Sequence, residues 1–282
     1  MIEAELLWKF TRAHDYVAGD FMWTGIDYLG EAHWPHKNSS SGVIDMCGFP
    51  KDGYYFCQSQ WTAAPMVHLF PHWTWPGREG RVIPVVCYTN CDSVELFLND
   101  TSLGVKSYKS AYRGFDRTKG FFEQTPPPAW PTTADLHLTW DVPYAPGTLR
   151  AVGKRDGEVV CVDEVTTAGA PARLEVAVDR ATIAADGRDV AHVTVRVLDG
   201  AGNVVPDADD VVSFSVEGEG QLIGVDNGDP ASHEPFQATR RRAFHGLCLG
   251  IVRSTDVAGE VRVAASAEGL SGDGVTISTV RA

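Results

Sequence analysis

Residues 192–197 read His-Val-Thr-Val-Arg-Val and residues 260–264 read Glu-Val-Arg-Val-Ala, so valine recurs at every second position in both segments. Because successive side chains of a β-strand point to opposite faces, this period of two predicts strands with one apolar face. Turn-forming residues interrupt such runs at residues 185–187, 199–203 and 226–229. Short strands with turns at this spacing are typical of an antiparallel sandwich, so residues 171–282 are predicted to form an immunoglobulin-like β-sandwich.

A second region with alternating residues spans residues 68–168 and contains more aromatic side chains. β-Branched and aromatic residues predict strands over residues 82–88, 94–98, 148–153 and 158–162. Arg155-Asp156-Gly157 is a hairpin signal, whereas the proline-rich residues 125–131 can form neither a helix nor a central strand and are predicted to be a loop. The region is therefore predicted to be a second sandwich, joined to the last one through Ala168-Gly169-Ala170-Pro171.

The first 67 residues show a different pattern. The predicted elements are a helix (residues 2–14), a mostly apolar buried strand (residues 17–23), a polar loop (residues 36–42) and a second helix (residues 53–61). Leu6, Leu7 and Phe10 give the first helix its apolar stripe. These elements make up part of an α/β domain, yet so few residues cannot close a parallel sheet. We therefore expect a mainly β chain that begins with a β/α remnant of a larger domain.

Composition and charge exclude several classes of function. The chain has 24 Lys and Arg against 37 Asp and Glu, a formal net charge of −13, so nucleic acid is not an expected partner. No apolar run approaches the ~20 residues of a membrane helix, so no membrane contact is expected. Six scattered cysteines are expected to be reduced, which favours a cytoplasmic location, although a secreted or periplasmic one stays open. Formation of a homo-oligomer is compatible with the sequence.

Two short charged motifs in the last predicted domain are open to more than one interpretation. Asp226-Asn227-Gly228-Asp229 lacks the ligand series of a calcium loop, so a tight turn is the favoured interpretation. Arg240-Arg241-Arg242 is a basic run in an acidic chain, and is interpreted as a solvated face or as the partner of a carboxylate. No metal ion and no cofactor are expected.

Two longer segments carry the signature of a family. Residues 17–31 read VAGDFMWTGIDYLGE and residues 48–61 read GFPKDGYYFCQSQW. Both resemble the end of the catalytic (β/α)8 TIM barrel of glycoside hydrolase family 2, the group of the β-galactosidases and β-glucuronidases. The resemblance continues through residues 72–80, 89–99 and 225–229. It implies that residues 1–67 are the C-terminal remnant of the barrel, and that residues 68–168 and 171–282 are two immunoglobulin-like domains, the second of the bacterial, invasin-like type.

Catalysis in this family, as the resemblance implies, is retaining hydrolysis by two glutamates, a nucleophile and an acid/base about 5 Å apart. They belong to the fourth and seventh barrel strands, whereas the chain resembles only the part of the barrel after the seventh strand. No catalytic residue is therefore assigned, and the chain alone is expected to be inactive. Asp20, Asp27 and Glu31 are not expected to replace the two glutamates. They lie on or just beyond one strand, whereas the catalytic pair must face a sugar from both sides.

The resemblance implies that Trp23, at the end of the matched eighth barrel strand, forms a wall of the sugar subsite. An indole face suits the apolar C–H face of galactose. The alternative for Trp23 is a packing role in the barrel core. Trp34, His36 and Lys37 lie in the following loop, at the expected mouth of the site, and are further candidates for substrate binding. The alternative interpretation is that these three residues are ordinary exposed loop side chains.

The residues before Gly42 indicate the charge of the sugar. In β-glucuronidases, as the resemblance implies, Asn-x-Lys stands at these positions and its cation serves the uronic carboxylate. Here Ser39, Ser40 and Ser41 precede Gly42. A β-galactoside or related neutral sugar is therefore the expected ligand, bound together with the rest of the barrel.

The sequence supports two functional hypotheses. The favoured one is the C-terminal portion of a retaining β-galactosidase, which supplies part of the sugar subsite and accessory sandwiches. The alternative is a non-catalytic carbohydrate-binding or adhesin-like module. Such a sandwich usually presents an aromatic platform, and residues 171–282 contain neither Trp nor Tyr, although the middle region has Trp130 and Trp140. The missing platform favours the first hypothesis.

Overall fold

The computed structural model describes residues 2–14, 16–107 and 136–281, and strands predominate among them, which confirms a mainly β protein. The proline-rich residues 125–131, predicted to be a loop, lie outside the described residues. The chain forms two compact units. The first contains Met1–Gly25 and Pro50–Thr167, and the second contains Ile26–Phe49 and Ala168–Ala282.

The helices and strands of the described residues agree closely with the sequence patterns, and both predicted helices are confirmed within one residue at each end. In chain order the elements are α1 (Ile2–Ala13), β1 (Tyr28–Leu29), β2 (Asn38–Ser39), α2 (Asp52–Trp61), β3 (Val67–Phe70), β4 (Val82–Thr89), β5 (Ser93–Leu98), β6 (Thr101–Lys106), β7 (Leu138–Pro143), β8 (Thr148–Arg155), β9 (Glu158–Thr166), β10 (Pro171–Val178), β11 (Thr182–Ala184), β12 (Val190–Asp199), β13 (Val211–Gly218), β14 (Gly220–Asp226), β15 (Arg240–Arg242), β16 (Leu247–Ser254), β17 (Gly259–Ser266) and β18 (Asp273–Val280).

The first unit contains a sandwich of two antiparallel sheets, with strand orders β3-β4-β7 and β6-β5-β8-β9. Side chains from both sheets fill its core, among them the fully buried Val85, Leu96 and Leu149. Trp73 is also buried, and its Nε1 donates a hydrogen bond to the carbonyl of Ala145 at 3.0 Å. The polar end of the indole is thus satisfied inside the core, where an unpaired N–H would be costly.

The turn between β8 and β9 lies where the sequence predicts a hairpin. Asp156 and Gly157 have positive φ angles of 51° and 84°. Type I′ hairpin turns, whose twist matches that of the flanking strands, need such angles at both central positions, which Asp-Gly adopts readily. The hairpin signal at residues 155–157 is therefore confirmed.

Helices α1 and α2 pack on each other and on the sandwich of the first unit. Trp8 of α1 donates from Nε1 to Gln60 Oε1 at 3.2 Å, and its ring lies edge-on to Trp61 at 5.8 Å. Glu5 is buried and accepts a hydrogen bond from His137 Nδ1 at 2.7 Å. Because these contacts are made by side chains on one face of α1, the helix buries that face against other residues of the first unit.

The predicted strand over residues 17–23 is wrong. These residues form no ladder with any described strand, and Phe21 and Trp23 are exposed. A strand of a parallel sheet is stabilised by neighbours on both sides, and the described residues supply none for this segment. The predicted polar loop at residues 36–42 also differs, because Asn38–Ser39 forms β2 and pairs with β1.

The second unit contains the valine-rich sandwich. Its sheets have the strand orders β10-β12-β16-β14 and β11-β18-β17-β13-β15. In β12, Val193, Val195 and Val197 are buried in the core, whereas Thr194 and Arg196 point to the other face and are only half-buried. The alternation of valine predicted from residues 192–197 therefore matches the alternation of buried and half-buried side chains along β12.

The grouping of the first 67 residues differs from a simple order of three domains. The segment Ile26–Phe49 belongs to the unit of the last sandwich, whereas Met1–Gly25 belongs to the unit of the middle one. The division into residues 1–67, 68–168 and 171–282 therefore stays a prediction. The structure adds that the loop after Trp23 packs within the second unit.

Asp199 ties the start of the last sandwich to its β12 turn. Its Oδ2 accepts hydrogen bonds from the backbone N–H of Gly169 at 2.8 Å and from Asn203 Nδ2 at 3.0 Å. Its Oδ1 accepts the backbone N–H groups of Ala201 at 2.9 Å and Asn203 at 2.8 Å. Burial opposes ionisation of this carboxyl, but these four donors outweigh it and lower the pKa of Asp199 to about 2.

Replacing Asp199 with Asn should lower the free energy of unfolding by about 1–3 kcal/mol at neutral pH, because four N–H donors lose the charged acceptor that they share. A carboxyl with a lowered folded-state pKa stabilises the fold above its ordinary pKa of 3.8, and this contribution is lost as the pH falls toward about 2. Urea unfolding between pH 7 and 2 should show the wild type losing more stability than the variant in this window. Asp256→Asn, which removes an exposed carboxylate from another loop, is the control; equal losses in both variants would contradict the assignment.

Candidate functional site

Trp23 lies in an exposed segment that both helices of the first unit hold in place. Thr11 of α1 donates a hydrogen bond to Asp20, and the Sγ of Cys57 in α2 contacts the Sδ of Met22 at 3.7 Å. The Trp23 side chain is 69% exposed, and the peptide bond that follows it is cis. The structure therefore presents the indole at the surface rather than in the core of the unit.

The loop after Trp23 is closed by Asp27 and Gly42 in the second unit. Asp27 N donates to Ile44 O at 2.9 Å, and Gly42 N donates to Asp27 Oδ1 at 2.7 Å. A Cβ atom at position 42 would lie 2.3 Å from Asp27 N, so only glycine fits there. Asp27 is buried and serves this closure.

Trp34, His36 and Lys37, the three candidates in this loop, lie in one unit but differ in exposure. Trp34 is 84% exposed and His36 is exposed at the end of a turn in which its N–H donates to His33 O at 2.8 Å. Lys37 is mostly buried, and its N–H donates to Pro230 O at 2.8 Å. Trp23 belongs to the other unit. The loop therefore displays an aromatic ring and an imidazole, and turns its lysine inward.

Lys37 ends in a buried network of charges. Its Nζ lies 3.1 Å from Asp226 Oδ1 and 4.6 Å from the ring centre of Phe236. The same carboxylate oxygen accepts a hydrogen bond from Arg241, which is completely buried. Arg241 also donates to Glu234 O at 2.8 Å. The basic run thus has a carboxylate partner at its central residue, while Arg240 and Arg242 are exposed.

A second turn packs against the residues that follow Asp226. Asp45 Oδ1 accepts the N–H groups of Cys47 at 2.8 Å and Phe49 at 2.9 Å. A Cβ atom at position 228 would lie 2.0 Å from Asp45 Oδ2, and Gly228 has a φ of 77°. Both the lack of space and the left-handed backbone conformation therefore require glycine there. Residues 227–229 are therefore a loop that receives the Asp45 turn, and the turn predicted at residues 226–229 lies slightly later, at residues 230–231. No group of three His, Cys, Asp or Glu that could hold a metal ion occurs among the described residues.

His233 stacks on Trp34 and is the residue of this region that sequence reasoning missed. The ring centres are 5.0 Å apart and the planes differ by 24°. His233 Nε2 also donates to Pro35 O at 2.7 Å. Nothing in the local sequence distinguishes this histidine, because its partners lie about two hundred positions away. Asp226 and Arg241 do lie in motifs that the sequence singles out, but their buried pairing cannot be deduced from those motifs.

Replacing Asp226 with Ala should destabilise the second unit by about 3–5 kcal/mol, because it leaves the buried Arg241 and the inward Lys37 without their carboxylate. Thermal and urea unfolding measure the loss. The matched control is Asp209→Ala, which removes the partner of the neighbouring Arg242 in an exposed pair and should cost less than about 1 kcal/mol. Similar costs for both variants would contradict the buried network.

Comparison with known proteins shows related sequences and structures. Residues 174–276 match the family model described as glycoside hydrolase family 2 C-terminal domain 5, and residues 80–161 match a domain of unknown function. The β-galactosidase BoGH2A of Bacteroides ovatus is 42% identical over 267 residues, which cover 93% of this chain and 28% of that protein. A putative β-glucuronidase of Formosa agariphila is 36% identical over 259 residues, which cover 90% of this chain and 23% of that protein.

A solved structure shares the fold. The crystal structure of a β-glycosidase from Bacteroides vulgatus superposes with a TM-score of 0.86 at 36% identity, and the match covers 98% of this chain and 32% of that one. The chain thus spans about a quarter to a third of the length of these proteins. In the described residues no helix is long and apolar enough to cross a membrane. By its sequence relatives, its structural neighbour and its last sandwich, the chain belongs to glycoside hydrolase family 2.

Proposed function

We infer that the chain acts as the C-terminal portion of a retaining β-galactosidase, where it supplies part of the sugar subsite and accessory sandwiches. The observation that carries this function is the 42% identity to a β-galactosidase over 93% of the chain. The two catalytic carboxyl groups are contributed by the rest of the enzyme. The residues of this chain bind and orient the sugar.

The exposure of Trp23 supports its assignment to the sugar subsite. An indole that is 69% exposed in its own unit offers an apolar face to a ligand, and the C–H face of galactose is a matching surface. His36, also exposed, adds a ring whose nitrogens can donate to or accept from sugar hydroxyls. These two side chains, with Trp34, are the proposed binding residues of the chain.

The role of Lys37 bears on which sugar is bound. A uronic acid needs a cation for its carboxylate, and Lys37 is the cation of this loop that lies nearest to the Ser39-Ser40-Ser41 positions. Its ammonium is already paired with Asp226 at 3.1 Å. Lys37 therefore contributes by holding the loop, and the site favours a neutral sugar such as a β-galactoside.

A chimera tests the proposal. When this chain replaces the matched part of the Bacteroides ovatus β-galactosidase, the product should hydrolyse nitrophenyl β-galactoside and prefer it to nitrophenyl β-glucuronide. In that chimera Trp23→Ala should lower kcat/KM about tenfold, since one stacking face is lost. The control is Trp61→Ala, an exposed tryptophan of the same unit. A folded but inactive chimera, or equal effects of both variants, would contradict the proposal.

The 282-residue chain alone should not hydrolyse a β-galactoside above background, because retaining hydrolysis needs two carboxyl groups facing one sugar. The acidic residues near Trp23 are used otherwise: Asp20 accepts from Thr11, Asp27 holds Gly42, and Glu31 accepts from Tyr28. Release of nitrophenol by the purified chain measures this. Turnover that copurifies with the chain and disappears in Glu31→Gln would show that a catalytic carboxylate lies within it.

A further inference from the structure

Trp34 is unusual in being highly exposed and yet firmly held. Its indole is 84% exposed, although a tryptophan of a globular protein normally buries most of its surface. His233 stacks against it with ring centres 5.0 Å apart. Because one neighbouring ring supports the indole, most of its surface stays available to a ligand.

The supporting histidine is itself fixed in orientation. A carbonyl oxygen can only accept, so the 2.7 Å contact between His233 Nε2 and Pro35 O places a proton on Nε2. This bond links the histidine of the last sandwich to the residue next to Trp34. The two rings are therefore held by a stacking contact and by a hydrogen bond between the same two segments.

The buried charged network is connected to residues close in sequence to both Trp34 and His233. Lys37, three positions after Trp34, is held by Asp226 and by Pro230 O, and Asp226 is held by Arg241. Pro230 lies three positions before His233. Both segments that carry the rings are thus anchored to the same network, which lowers the entropy that the loop loses when a ligand binds.

We propose that Trp34 and His233 form one carbohydrate-binding platform, built jointly by the loop after Trp23 and by the last sandwich, that binds the apolar face of a neutral saccharide unit. His33 and His36, one position before and two positions after Trp34, are also exposed and can offer hydrogen-bonding groups to the polar edges of a sugar. The last sandwich lacks Trp and Tyr, and it obtains its aromatic surface by combining a histidine with a tryptophan of the loop. The choice of saccharide rests on the proposed function.

Nuclear magnetic resonance of the full chain tests the platform directly. The chain has eight tryptophans, and the indole N–H signal of Trp34 is identified by its loss in Trp34→Phe. Titration with methyl β-galactoside and with lactose should shift this signal in a saturable way. The indole signal of Trp61, in the other unit, should stay unchanged. The absence of any shift of the Trp34 signal at the solubility limit of both sugars would overturn the proposal.

Matched variants show whether His233 belongs to the platform. His233→Asn removes the ring but keeps an N–H donor, and should weaken saccharide binding at least tenfold. His245→Asn is the control, since His245 is an exposed histidine of the same unit whose ring also contacts an aromatic side chain, Phe244 at 4.0 Å. Binding that is lost in both variants, or in neither, would overturn the joint platform.

The two experiments distinguish a failure of the platform from a failure of the proposed function. Saccharide shifts at Trp34 with an inactive chimera would support the platform as a non-catalytic binding site and reject the β-galactosidase. An active chimera without such shifts would reject the platform alone. Self-association of the chain that is abolished by Trp34→Ala would assign the ring to a protein interface and overturn the proposal.

Discussion

The carboxylate of Asp226, placed between Lys37 and Arg241, is the interaction on which the second unit depends most. Arg241 is completely buried, and a buried guanidinium without its partner is strongly destabilising. Lys37 comes from a segment 189 positions away. One carboxylate therefore both neutralises a charge inside the sandwich and fixes a distant loop to it, so the position of Trp34 depends on the stability of the sandwich.

The turns around Asp226 show why this end of the sandwich can carry a function. The valine core fixes the strands, and β14 ends at Asp226, where the loop that leads to His233 begins. The Asp45 turn fits against Gly228 only because that residue has no side chain. Loops positioned by a rigid scaffold commonly carry binding groups, and here the scaffold and the loop come from opposite ends of the sequence.

How much the sequence predicts depends on whether the determining contacts are local. The valines of β12 and the Asp156-Gly157 turn are predictable from periodicity and from backbone preferences, which neighbouring residues set. Residues 17–23 are apolar enough for a strand, but a parallel strand forms only with partners that no local pattern reveals. Arg241 stands in a run of three arginines that read alike, and only the packed sandwich separates the buried one from its exposed neighbours.

The same limit applies to the candidate site. Trp34 and Lys37 attract notice because a family resemblance puts them near a sugar, yet the structure gives the two residues opposite environments. The pairing of Trp34 with His233 joins residues with no shared motif, so no reading of either segment alone finds it. A recognisable motif, Asp226 to Asp229, marked the region without revealing that its first residue binds a lysine and an arginine.

The charges at this end of the sandwich act on the thiol of Cys47, and one of their contacts bears on the proposed choice of sugar. Burial raises the pKa of the Cys47 thiol, and the carboxylates of Asp226 and Asp45 raise it further, by more than Lys37 and Arg241 lower it. The field at this thiol is therefore net negative, although two cations lie nearby. The proposed preference for a neutral sugar rests on a separate contact, because the ammonium of Lys37 that could serve a uronic carboxylate is already paired with Asp226. A neutral saccharide, the proposed ligand, needs no such cation and gains the aromatic contact that its apolar face allows.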